Sequence, residues 1–135
     1  MKNLLLTLLA FGLLSSSAFA QEGLEKKQFT RVVASGAKQR LGFYFDINPD
    51  CSATGDINVR VTKQPEHGTV ESVARTEYAH YPKENIRSKC NQHKVKGTLV
   101  NYKAAEKYTG NDEFDLLILL PGGFAWEVHY NISVR

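Results

Sequence analysis

The sequence predicts an all-β domain, an antiparallel β-sandwich of about seven short strands with one long loop tethered by a disulfide. Three observations carry that reading. Apolar residues alternate with polar ones at period two along much of the chain, most clearly over 124–134. Turn residues separate the alternating runs. Beyond residue 20, no segment shows a 3.6-residue apolar period with helix caps.

The first twenty residues read as a secretory signal peptide. Met1-Lys2-Asn3 is a short positive start, 4–14 is an uncharged apolar run, and Ala18-Phe19-Ala20 is a small-residue cleavage ending. The run is too short for a transmembrane helix, and no later apolar run reaches spanning length, so no integral membrane span is expected. Cleavage after Ala20 leaves a single domain over 21–135, starting at Gln21 with no cysteine to carry a lipid. The expected location is therefore periplasmic or secreted.

The strands follow in chain order. Val32 and Val33 centre a first strand at 29–34, and 24–29 has room for no more than one helical turn. Leu41, Phe43, Phe45 and Ile47 alternate with Arg40, Gly42, Tyr44 and Asp46, until Asn48-Pro49-Asp50 breaks the run. Ile57, Val59 and Val61 alternate up to the turn at Pro65-Glu66-His67-Gly68. The segments 69–73 and 99–102 are shorter strands. Phe114, Leu116, Ile118 and Leu120 share a face, and Leu117 and Leu119 make the other face apolar too, which marks a strand central in its sheet. Pro121-Gly122-Gly123 then turns the chain into 124–134, where Phe124, Trp126, Val128, Tyr130, Ile132 and Val134 form one buried face. The two segments make an antiparallel hairpin. Between 75 and 97 the sequence reads as irregular, and a loop of that length in a small domain is either functional or pinned.

Cys51 and Cys90 are the only cysteines. In an exported chain they read as one disulfide, tying the long loop to the end of the second strand. The separation of 39 positions corresponds to roughly 4 kcal/mol in the chain-entropy account, before native strain is subtracted.

Charge is close to balanced. Cleavage removes Lys2 and no acid, leaving sixteen cations against fourteen acids and a net charge of +2, which gives no reason to expect a nucleic-acid partner. The distribution is uneven. Arg75, Lys83, Arg87, Lys89, Lys94 and Lys96 face only Glu77 and Glu84 within 75–96. Tyr78, His80, Tyr81 and His93 interleave with these cations. Aromatic faces with cationic tips suit an anionic glycan or an acidic protein surface. These ten residues are the candidate partner-binding set, and the disulfide lowers the entropy lost when the loop binds.

The segment 59–134 resembles the bacterial immunoglobulin/cadherin-like domains of secreted and surface proteins. The resemblance rests on Pro65-Glu66-His67-Gly68-Thr69-Val70, Val100-Asn101-Tyr102, Gly110-Asn111-Asp112-Glu113-Phe114 and Ile132-Ser133-Val134. It implies an Ig-like sandwich, and it bears on fold more than on chemistry. At these positions Gly68 and Gly110 serve turns with positive φ, Asp112 accepts backbone amides, and Tyr102 sends a ring into the core. Relatives that bind calcium use aspartates at the hairpin turn. Here that turn, Leu120-Pro121-Gly122-Gly123, has no carboxylate, so calcium is not expected. Neither cysteine lies in an alternating strand, so the bridge is not the immunoglobulin inter-sheet disulfide.

Catalytic signatures are missing from the sequence: no G-x-S-x-G, H-E-x-x-H, C-x-x-C or phosphate-cradling glycine loop occurs. His67 reads as a turn residue and His129 as a solvent-facing strand residue. His80, His93 and Asp50 are the nearest approach to a zinc or copper set, and they fall short of one. The expectation is a non-enzymatic binding module without cofactor or metal, whose partner is an envelope or extracellular protein or an anionic glycan. A small secreted hydrolase inhibitor and a structural subunit of an envelope assembly are the alternatives.

Overall fold

The computed structural model describes residues 23–135, and the leader expected over 1–20 lies outside them. Seven strands form: β1 (Glu25–Val33), β2 (Lys38–Tyr44), β3 (Asn58–Lys63), β4 (Gly68–Tyr78), β5 (Lys94–Ala104), β6 (Gly110–Leu119) and β7 (Ala125–Val134). They pair in two sheets, β1-β7-β6-β3 and β2-β5-β4, stacked as a sandwich. All pairings are antiparallel except β1 with β7, which run parallel in register from Glu25 opposite Trp126 to Val33 opposite Val134. The segment 25–28 is thus strand rather than a helical turn, because it completes the edge of the larger sheet. As its two apolar faces require, β6 is central.

Between the sheets lies one core. Phe114, Leu116 and Ile118 of β6, Val128, Tyr130, Ile132 and Val134 of β7, and Val100, Tyr102 and Ala104 of β5 are buried in it. Three aromatic rings run through its middle, with centroids 5.9 Å apart from Tyr102 to Phe114 and 5.0 Å from Phe114 to Tyr130. The alternation in β7 holds, with one correction: Phe124 belongs to the turn, where it is 74% exposed.

A second correction concerns β2. Its alternation predicts one buried row from Leu41 to Ile47. A bulge between Arg40 and Gly42 shifts the register, and the strand ends at Tyr44. Leu41 stays in the central core, and Tyr44 turns inward to share a hydrogen bond of 2.9 Å with the Tyr130 hydroxyl. Phe43, Phe45 and Ile47 are released to a second cluster with Ala79, Cys90, Val95, Cys51 and Tyr81. Val95 lies on the face of β5 opposite Val100 and Tyr102, so this cluster covers one end of the outer face of the smaller sheet.

The stretch expected to be irregular over 75–97 is shorter than the sequence implies. β4 and β5 continue pairing to Tyr78 opposite Lys94, leaving a loop of 79–93 around a 3₁₀ turn at Ser88–Gln92. The second cluster holds this loop down, and so do polar side chains. The Asn91 side chain bonds both the N–H and the C=O of Tyr81, at 2.8 and 2.9 Å, in place of a strand partner. Phe43 lies over Gly97, where any Cβ would come within 2.6 Å of its ring.

At the far end a buried carboxylate closes the sandwich. Asp112 Oδ1 accepts the amides of Glu66 and Glu113 at 2.9 Å each. Its Oδ2 accepts the amide of His67 at 3.0 Å and the Tyr102 hydroxyl at 2.7 Å. The β3–β4 turn is thereby fastened to both sheets, with His67 stacked on Tyr108 at 3.9 Å. Burial, and then the bond to Asp112, hold the Tyr102 hydroxyl well above the ordinary tyrosine range. Gly110 has φ +140°, as expected. Gly68 does not have positive φ; it is needed because a Cβ there would stand 2.4 Å from the Tyr102 ring.

Asp112→Ala removes the acceptor for three amides and a phenol and is expected to cost about 3 kcal/mol, whereas Tyr102→Phe removes a single donor and costs about 1 kcal/mol. Urea midpoints of the two variants at neutral pH check the ratio.

Candidate functional site

Pairing directions bring three loops to one end of the sandwich: the β2–β3 loop at 45–57, the β4–β5 loop at 79–93, and the β6–β7 turn at 120–124. The first is self-supporting. Asp50 Oδ1 accepts the Ser52 amide at 3.0 Å and the Ser52 hydroxyl at 2.6 Å, and these bonds hold its carboxyl below the usual range. The Thr54 hydroxyl donates to Asp46, and Ile47 bridges to Ala53.

The Cys51–Cys90 disulfide, with Cα atoms 5.4 Å apart, joins the first loop to the second. Cys90 is fully buried, so the bridge is the floor of the second apolar cluster. The Arg87 Nε donates to the Ile47 carbonyl at 2.7 Å and adds a second tie. The third loop packs on the first, where a Cβ on Gly55 would lie 3.0 Å from Pro121. A shallow cleft of about 530 Å³ remains among the three, lined by Asp46, Asn48, Thr54, Arg87, Pro121 and Phe124. The two most exposed large apolar side chains of the described residues, Phe124 at 74% and Ile86 at 69%, belong to the third and second of these loops.

The ten residues singled out in the sequence divide into three groups. Arg75, Tyr78, Lys94 and Lys96 are strand residues on the β4–β5 hairpin, where Lys94 Nζ stands 5.5 Å over the Tyr78 ring. Tyr81 and Arg87 turn toward the second cluster and serve structure. Tyr81 meets Phe45 edge-on at 5.3 Å, and burial pushes its hydroxyl up. His80, Lys83, Lys89 and His93 are exposed in the loop. At the three-loop end itself the charges nearly balance. The three loops together hold Lys83, Arg87 and Lys89 against Asp46, Asp50, Asp56 and Glu84, and Lys89 helps depress Asp50. Phe124, Ile86 and Pro121, which the charge pattern could not flag, dominate this end.

On the outer face of the larger sheet, as expected, His129 is partly exposed, and it gains polar partners there. Its Nδ1 pairs with Asp115 Oδ1 at 2.5 Å, and its Nε2 meets Asn131 Oδ1 at 3.2 Å and Glu113 at 3.7 Å. The hydrogen bond to Asp115 raises its pKa above the ordinary histidine value, with Asn131 and Glu113 adding to the effect. Among the described residues, no group of three or more His, Cys, Asp or Glu is arranged to hold a metal ion. No helix among them is long and apolar enough to cross a membrane.

No family model matches the chain, and no curated protein matches it. Among solved structures it is similar to the solution structure of amebosin, at 11% identity and a TM-score of 0.44, covering 84% of this chain and 99% of that one. It is also similar to the structure of PbICP-C in complex with falcipain-2, at 14% identity and a TM-score of 0.36, covering 83% and 91%. At these values neither likeness says anything about chemistry.

Two outcomes are expected. Because the folded pKa of His129 lies above its unfolded value, its contribution to stability is complete below about pH 6.5. That contribution fades as pH rises through the folded value. Urea midpoints from pH 5 to 9, measured on the wild type and on His129→Gln, should show this slope only in the wild type. Reduction of the disulfide, or Cys51→Ala with Cys90→Ala, should remove up to about 4 kcal/mol. The same change should raise amide exchange in 45–57 and 79–93 while sparing β6 and β7, measurable by hydrogen–deuterium exchange.

Proposed function

We propose that this protein is a non-enzymatic binding module, exported to the periplasm or the exterior, which engages a partner protein through the three-loop end of its sandwich. The observation that carries the reading is the combination of rigidity and apolar exposure there. A disulfide and a private apolar cluster immobilise two of the loops, and the third offers Phe124 to solvent at 74% exposure. A large apolar side chain held on a fixed turn loses little conformational freedom on burial, which is the physical description of a binding anchor. Phe124 and Ile86 are both exposed on an end whose charges nearly cancel. A partner protein with an apolar pocket suits that surface better than an anionic glycan does. The disulfide supports the assignment to an oxidising compartment.

An envelope or extracellular protein is the first choice of partner. A hydrolase whose cleft receives the loop end is the second reading, and the projecting Phe124 turn favours it. The wild-type protein, used as bait on envelope and culture-fluid fractions, should retain one stoichiometric protein in a complex that resists 0.5 M salt, roughly three times the physiological ionic strength of about 0.15 M at which exposed charges are already screened. Phe124→Ser should weaken that complex at least about 30-fold, as loss of an anchor worth about 2 kcal/mol requires, without lowering the melting temperature. A complex lost with salt but indifferent to Phe124 would defeat the proposal. Inhibition of the captured protein's hydrolytic activity would select the second reading.

A further inference from the structure

The sandwich has four sheet edges, and three of them are guarded against pairing. β1 carries Lys26, Lys27 and Arg31 along its length. β2 has a bulge between Arg40 and Gly42 and carries Lys38 and Arg40. β3 is only six residues long, with a register shift between Val61 and Lys63. Short length, bulges and lysines are the devices that keep edges from pairing with other chains. β4 has no bulge and no lysine, and its charges, Glu71, Arg75 and Glu77, are of mixed sign. It runs for eleven residues, Gly68–Tyr78, in unbroken register with β5, without proline or lysine, and most of its residues are exposed.

We infer that the free edge of β4 pairs with the β4 edge of a second copy of this chain, antiparallel about a two-fold axis through Val73. Residues directly opposite each other in an antiparallel ladder share the same hydrogen-bonding phase, so such an axis must pass through a residue. Centred on Val73, the pairing uses all eleven residues, Gly68 opposite the partner's Tyr78 and so on to Tyr78 opposite the partner's Gly68. The same register sets Glu71 opposite the partner's Arg75, and symmetry repeats the pair. Thr69 meets Glu77, Val70 meets Thr76, and Ser72 meets Ala74. Moving the axis to Ala74 would oppose Glu71 and Glu77, which is unfavourable. Moving it to Ser72 would leave Glu71 opposite Val73 and Arg75 opposite Thr69. Full overlap and charge complementarity thus select one register.

The side chains are placed for it. Arg75 has no ion-pair partner within 4 Å among the described residues, so its charge is available. Glu71 pairs with Lys38 on the outer face, beside Asn101, and stays exposed. Beside the edge, a cleft of about 530 Å³ between Ala74–Thr76 and Gly55–Ile57 leaves room for the side chain of the partner's Val70 opposite Thr76. The product is a continuous six-stranded sheet, β2-β5-β4 followed by its symmetry copy. Because the two β4 strands are antiparallel, the two three-loop ends point in opposite directions, and the dimer is bivalent. This goes beyond the binding role proposed above and stands independently of it.

Sedimentation velocity on the disulfide-bonded protein, across a concentration series reaching about 1 mM, tests the inference. The wild type should convert from monomer to dimer within the series. Arg75→Glu, which places like charges opposite each other twice, should weaken the dimer roughly tenfold or more. Glu71→Arg should do the same, and mixing the two single variants should restore a heterodimer. Circular dichroism melting of each variant confirms that the fold survives. A wild type monomeric throughout the series would overturn the inference, as would a dimer that Arg75→Glu leaves unchanged or a mixture that stays monomeric.

Discussion

Burial of β5 on both faces is the constraint on which the rest of this structure depends. Its inner face gives Val100, Tyr102 and Ala104 to the central core, and its outer face gives Val95 to a second cluster. A sheet in a two-layer sandwich ordinarily leaves one face wet. Here the 79–93 loop, with Phe43, Phe45 and Ile47, covers the Val95 end of that face, while Lys103 at the other end stays exposed. The loop is therefore a third partial layer. This explains how a segment with few regular hydrogen bonds of its own stays ordered, and why a polar side chain, Asn91, substitutes for a strand partner beside it.

The two ends of the sandwich are held by different physics. At the β3–β4 turn a single buried carboxylate gathers donors from a loop, from β5 and from its own strand. A charge can be buried there because four donors replace the water it gives up. At the opposite end a covalent bond and an apolar cluster hold the loops, so their polar atoms are free to satisfy one another locally, as Asp50 and Ser52 do. One end is thus closed by electrostatics, and its exposed large apolar side chain is Val32. The other is closed by burial and cross-linking, and it displays Phe124 and Ile86.

The shape of the smaller sheet also sets what remains open. The loop that covers β5 and the end of β2 does not reach across the edge of β4, which stays exposed along its length. Mutual coverage and mutual exposure have the same origin, the offset between where the second cluster sits and where the sheet ends.

The amino-acid sequence by itself determined the β class, the position of nearly every strand, the central place of β6, the β6–β7 hairpin and the pairing of Cys51 with Cys90. Each of these depends on neighbours in the chain, or on there being only two thiols to pair. It also pointed to Asp112 and Tyr102 as structural, which the geometry supports. It could not place the ten residues of the basic stretch. The continuation of β4 and β5 put Arg75, Tyr78, Lys94 and Lys96 on a hairpin, packing drew Tyr81 and Arg87 inward, and the acids of a distant loop balanced Lys83, Arg87 and Lys89. Nor could it show that Gly68 yields to the Tyr102 ring, that a bulge divides the apolar row of β2 between two clusters, or that Phe124 leaves the buried face. Only the tertiary structure decided these. Periodicity records which way a side chain points from its own strand, whereas its surroundings are set by strands and loops tens of residues away.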